Sequence, residues 1–370
     1  MKRLFTILCA AAAIAASAAC NKLTQGENIT TLDDNAEYAD VTFNVSAVDA
    51  EVTTRAVDEN KITSYTVLIF GEDEQLAKRL RVSTQDGEEI TPPNSCELKL
   101  GEKYTIYAIV NLTNMIEYYD LECVQDMGTN KAYFNMLYEN QYYPVKSTNI
   151  PRGFHMVAGP ITKTFTNTSE DGLKCDIAVE RIVSKIHLTS VTNSLTNGSD
   201  ITIKGAFLSN LNARWEFGST SPSSWANKYG RDDNGTIVAK NTSYAPELTY
   251  KTLDTSISSG STSDLDVSLY CYPNDNQTEP AGWSTDTFPG QSTMLVLVTE
   301  IGGTTYYYPV NLNKRISGNK IEMNHTYDVS LTIKNFGSTD EPNKEVGDAT
   351  AAFSVTAPAF TDGGDVSHTI

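Results

Sequence analysis

Cys20 is the first residue whose chemistry its setting decides. Lys2 and Arg3 open the chain with positive charge, Leu4 to Ala16 form an apolar run, and Ser17-Ala18-Ala19 are small. So short and alanine-rich a run reads as a secretory signal, because a membrane span needs about 20 strongly apolar residues. A cysteine directly after the small residues is placed for acylation of its thiol, which would hold the exported chain on a membrane. Ordinary cleavage after the small residues, with Cys20 incidental, is the alternative. Arg55 is the second such residue. It is the only basic residue between Lys22 and Lys61 and lies in the polar stretch from Asp49 to Asn60. An arginine-specific protease would therefore meet one target there, the bond between Arg55 and Ala56.

Other chemistry is sparsely represented. The four histidines, His155, His187, His325 and His368, are scattered, and no nucleophile elbow, H-E-x-x-H helix or phosphate-cradling glycine loop occurs. No catalytic residue, metal ligand set or cofactor is expected. Asp232-Asp-Asn-Gly235 lacks the spaced ligands and bidentate glutamate of a calcium loop and reads as a tight turn, with calcium binding the alternative. Cys96, Cys123, Cys175 and Cys271 have no C-x-x-C spacing, so one or two disulfides and buried free thiols both fit. A formal net charge of -18 argues against a basic patch for nucleic acid or anionic lipid.

The elements that position these residues are β-strands. Runs rich in Val, Ile, Thr, Tyr and Phe recur between turn residues: Tyr65 to Phe70, Tyr104 to Val110, Asp176 to Leu188, Ile201 to Phe207, Met294 to Ile301, Thr304 to Leu312 and Tyr327 to Ile333. Such spacing predicts antiparallel sandwiches. Asn114 to Gln141 is looser and predicts one or two short helices, while Asn193 to Asp200 and the Gly/Ser/Thr-rich Asp254 to Asp264 read as loops. The resulting division is a signal over 1–20, a propeptide over 21–55, sandwiches over 56–174 and 175–344, and a tail over 345–370.

Two segments near opposite ends share one pattern. Val41-Thr-Phe43-Asn-Val45-Ser-Ala47 and Ala351-Ala-Phe353-Ser-Val355-Thr-Ala357 both carry Phe, Val and Ala at alternate positions. Alternate side chains of a strand share a face, so both offer the same apolar series to a core, and seven residues span about 23 Å. A cut after Arg55 would detach the first strand from the folded body. The exposed apolar groove and unpaired backbone left behind invite a strand from another copy.

Nearly all of the chain resembles the fimbrillins of Bacteroidales, the major subunits of type V pili. The residues that carry the resemblance are the signal ending at Cys20, Thr54-Arg55-Ala56, Ile62 to Phe70, Tyr104 to Asn111, Phe154 to Gly159, Val179 to Ile186, Tyr270 to Asn274, Thr293 to Val296 and Asn324 to Val329. The resemblance implies two transthyretin-like β-sandwich domains with a few short helices in the first. It also implies a non-enzymatic subunit exported as a lipoprotein, anchored in the outer membrane as a precursor, and cut by an arginine-specific protease. Polymerisation with other copies and related subunits would follow by strand donation. On that basis Cys20 is lipidated and cleavage falls between Arg55 and Ala56. The strand lost carries Val41, Phe43, Val45 and Ala47, and the strand donated carries Ala349, Ala351, Phe353, Val355 and Ala357. A second expectation comes from Trp215, Trp225, Trp283 and Tyr306-Tyr-Tyr308, which would suit a monomeric surface lipoprotein that stacks glycans.

Overall fold

The computed structural model describes residues 37–47, 62–83, 94–111, 122–129, 131–133, 154–167, 170–212, 214–217, 228–229, 250–275, 292–339 and 351–356. Among them β-structure dominates, as the runs of β-branched and aromatic residues predict. The first half supplies β1 (Tyr38–Ala47), β2 (Ser64–Phe70), β3 (Leu76–Ser83), β4 (Ser95–Lys99), β5 (Lys103–Val110), β6 (Lys131–Tyr133), β7 (Met156–Thr164) and β8 (Lys174–Arg181). All but β6 form one sheet in the order β3-β2-β5-β7-β8-β1-β4. β7 and β8 pair only at Met156↔Arg181 and Val157↔Glu180. The sheet turns a corner there, and its two arms close over one apolar core built from both.

β2 shows how the sheet is buried. All seven of its side chains are buried. Tyr65, Val67 and Ile69 enter the core inside the sheet, while Leu68 and Phe70 face a larger core on the other side. A continuous apolar run without alternation is what a strand covered on both faces requires.

The rest of the chain supplies β9 (Ser184–Asn193), β10 (Ile201–Ser209), β11 (Leu211–Asn212), β12 (Arg214–Glu216), β13 (Lys228–Tyr229), β14 (Tyr250–Ile257), β15 (Thr262–Cys271), β16 (Met294–Ile301), β17 (Thr304–Asn311), β18 (Thr326–Ile333) and β19 (Ala351–Thr356). Two four-stranded sheets, β14-β10-β16-β17 and β15-β9-β18-β19, enclose the larger core. Between the halves, β6 pairs with β12. The segment expected to be helical holds a 3₁₀ turn at Val124–Thr129 immediately before β6.

Three local expectations change. The run from Asp176 to Leu188 is two strands in two sheets, broken at Ile182 and Val183. Both residues are buried, so the apolar run continues across the bend and conceals it. Backbone bonds from Ile182 N to His155 O and from Asn324 N to Val183 O hold the corner. The segment from Asp254 to Asp264 is mostly strand, with Ser258–Ser261 alone forming the turn and Gly260 at φ 76°. Its serines and threonines are the exposed residues of two edge strands. Finally, two of the three large sheets are mixed, since β1 runs parallel to β8 and β18 parallel to β9, while β14-β10-β16-β17 is antiparallel throughout.

Candidate assembly site

β1 lies inside its sheet, not at an edge. Tyr38–Thr42 pair antiparallel with Ser95–Lys99 of β4, and Thr42–Ala47 pair parallel with Lys174–Val179 of β8. Phe43 N also donates to Asn94 O at 2.7 Å, and Leu100 N to Glu37 O at 2.8 Å. Alternation decides the facing. Val41 and Phe43 are buried and Val45 and Ala47 half-buried against the core, while Asp40, Asn44 and Ser46 are exposed. Phe43 meets Phe165 edge-on at 6.0 Å, and Tyr104 lies 6.0 Å from the same ring. On the outer face Asn44 Nδ2 donates to Asp176 Oδ1 at 2.7 Å, tying β1 to β8. Removal of β1 would uncover Leu98, Cys175, Ile177 and Val179 and free one ladder edge on each wall.

β19 occupies an edge. Among the described residues its one ladder neighbour is β18, with Ala351, Phe353 and Val355 opposite Ile333, Leu331 and Val329. Those three β18 residues are buried, and Val355, 9% exposed, belongs to the larger core with them. The backbone register thus sets Ala351, Phe353 and Val355 opposite the apolar residues of β18. Ser354 is exposed.

Between β18 and β19 the chain crosses to the other sheet and is pinned there. Tyr307 N donates to Ser338 O at 2.8 Å, Ser338 N returns a bond to Tyr307 O at 3.1 Å, and Tyr308 Oη donates to Asn335 O at 3.1 Å. Phe336 stacks on Tyr306 at 5.2 Å. Gly337 passes so close to β17 that a Cβ there would sit 2.4 Å from Tyr307 O. Sequence patterns did not mark this strap, because its contacts are long-range.

Cys20, Arg55, Ala56, Ala349 and Ala357 lie outside the described residues, as do Trp225, Trp283 and Asp232 to Gly235, expected to form a turn. Trp215 and Tyr308 are core residues, not parts of an exposed stacking surface. His155 is 2% exposed, and burial lowers its pKa to about 3, so it is a neutral core residue. His187 pins three strands of one sheet: its Nδ1 lies 2.8 Å from Asp328 Oδ1 and its Nε2 3.0 Å from Asp266 Oδ1. Cys96, Cys123, Cys175 and Cys271 form no disulfide among the described residues.

Residues 39–204, from the second residue of β1 to the middle of β10, match the family described as major fimbrial subunit protein (FimA). That region of the chain is similar to the major fimbrial subunits. The matched family is one of fimbrial structural subunits, not of enzymes. Solved structures share the fold at low identity. A putative cell adhesion protein from Parabacteroides distasonis aligns with TM-score 0.57 and 15% identity, over 87% of this chain and 99% of that one. One from Bacteroides eggerthii gives 0.54 and 16%, over 87% and 95%. A fimbrilin from Porphyromonas gingivalis gives 0.53 and 15%, over 86% and 96%. A search of the curated proteins finds no match.

Proposed function

We propose that this fimbrial subunit polymerises by exchanging β1 for the β19 segment of a neighbouring copy. The observation that carries the reading is the paired placement of one apolar series. In β1 it fills a slot between two strands, and in β19 it rests on the edge of a sheet. An edge strand breaks one set of ladder bonds on leaving, whereas an internal strand breaks two. Aligned by their shared series, Phe353 takes the place of Phe43, Val355 of Val45, Ala357 of Ala47 and Ala351 of Val41. Burial of Phe353 and Val355 in the slot contributes roughly 1.5–3 kcal/mol each, and ladder bonds to β4 and β8 replace those lost.

In this scheme Cys20 carries the lipid that holds the precursor in the outer membrane, and an arginine-specific protease cuts between Arg55 and Ala56. Propeptide 21–55 then departs with β1. The folded body is read as two transthyretin-like sandwiches. Because β8 belongs to the first sheet and β9 to the second, the boundary is best drawn at Ile182–Val183. Adhesion is a property of the assembled fibre.

The test is Phe353→Asp in the full chain. The variant is expected to fold and to be cut at Arg55, yet to form no SDS-resistant ladder, because a carboxylate does not enter the core without a large desolvation cost. Ladders equal to those of the parent chain would overturn the proposal.

A further inference from the structure

Two thiols stand on the two walls of the β1 slot. Cys96 of β4 is opposite Val41, and Cys175 of β8 is beside Phe43. Both side chains pack on the core that β1 helps to fill, Cys175 as a buried member and Cys96 at its margin. With β1 in place they are separated by two strand spacings and one two-residue step, about 12 Å between Cα atoms. A disulfide needs Cα atoms at about 4.4–6.8 Å, so β1 is a spacer that keeps the pair reduced.

We infer that Cys96 and Cys175 form a latent lock: if the slot stands empty, its walls close and a disulfide between them seals it against any incoming strand. This rests on the exchange of β1 proposed above. β4 runs antiparallel to β1 and β8 parallel to it, so β4 and β8 are antiparallel to each other and able to pair directly. An empty slot favours that pairing, since it exposes two unpaired edges and an apolar groove. Direct pairing in the present levels leaves the two cysteines diagonal, at about 7–8 Å. A slip of two residues sets them opposite at about 4.5–5.5 Å, and an even slip keeps every inward side chain inward.

The occupied slot also keeps both thiols unreactive. Burial pushes the Cys96 thiol up to about 11, and burial likewise raises that of Cys175; nucleophilic thiolate is scarce at neutral pH in both. Opening the slot removes that cause. The oxidant is a small disulfide of an oxidising compartment, with oxidised glutathione as the laboratory example. One cysteine thiolate attacks it and displaces one glutathione thiolate. The second cysteine thiolate attacks the resulting mixed disulfide and displaces the other. Two protons leave the cysteines and are taken up by the two glutathione thiolates. The consequence is directional: a subunit that loses β1 with no neighbour at hand is retired from assembly and cannot take a wrong strand.

The experiment uses the full chain carrying Phe353→Asp, so that the slot is not refilled by other copies. It is cut with an arginine-specific protease, freed of the N-terminal segment by gel filtration in mild urea, and treated with oxidised glutathione. A chain ending at Gly347 serves as a second background. Mass mapping is expected to find a Cys96–Cys175 cross-linked peptide with loss of two hydrogens. Binding of a synthetic peptide of residues 349–357 should fall at least tenfold and return on reduction. Uncut chain should not cross-link, and Cys96→Ser or Cys175→Ser should keep peptide binding after oxidation. Peptide binding to the cut chain without that cross-link, or with glutathione on single cysteines only, overturns the lock and leaves strand exchange standing. An N-terminal segment that never leaves, or a cut reduced chain that never binds the peptide, overturns both.

Discussion

β1 and β19 carry nearly the same side chains and are held in opposite ways. β1 has a neighbour on each side and Phe43 in an aromatic cluster, while among the described residues β19 has one neighbour, with Val355 in the larger core. Side-chain series alone therefore does not set how firmly a strand is held. Position in the sheet does, because an internal strand satisfies two sets of backbone groups and an edge strand one. In the proposed exchange, that contrast separates the strand to be cut away from the strand to be donated.

The largest expected effect breaks the symmetry of the two series. Phe43→Ala should cost about 3–5 kcal/mol, the range for a fully buried phenylalanine. Val355→Ala removes two methyl groups and should cost about 1.5 kcal/mol. Urea unfolding of the uncut chain checks both. Equal losses would mean that β19 is held as firmly as β1, and the contrast would fail.

The strand series itself was legible in the sequence, and so were most strands, because period-two alternation and turn residues are local signals. Tyr327–Ile333 and Met294–Ile301 are strands as read. What was not legible is non-local. Nothing in Val41–Ala47 says that its neighbours are β4 and β8, and nothing in Ile182-Val183 marks a change of sheet, because buried apolar residues serve strands and buried corners alike. The strap at Asn335–Ser338 and the pinning of His187 by Asp266 and Asp328 depend on partners far away in the chain. The two thiols flanking β1 are ordinary cysteines until the register is known.

The next effect bears on one side of the contrast only. His155 O receives Ile182 N at the corner beside β8, so its environment belongs to the sheet that holds β1. Its folded pKa of about 3 lies below the ordinary 6.5. Between those values the unfolded chain binds a proton that the folded chain does not, so stability falls as pH drops through that window, by up to about 1.4 kcal/mol per unit. Between pH 6.5 and 5, above most carboxylate titration, the loss should reach about 2 kcal/mol. His155→Phe should flatten that slope, and an unchanged slope in the variant would remove His155 as its source.

The smallest effect sharpens the other side. If β19 is the movable element, the strap that precedes it is its fixed base, and the two should loosen separately. Gly337 is the place to ask, since a Cβ there meets Tyr307 O at 2.4 Å and the Tyr308 ring at 3.0 Å. Gly337→Val must push the strap off β17, at a cost of about 1 kcal/mol, the low end for overpacking, because the strap is able to shift outward into solvent. Hydrogen exchange is the measurement, because it resolves local opening from global unfolding. The amides of Tyr307 and Ser338, which bond to each other's carbonyls, should lose protection, while the β1 amides paired with β4 and β8 keep theirs. Loss of protection in β1 as well would mean that the tail and the first strand open as one unit, and the division of labour between a held strand and a free one would have to be abandoned.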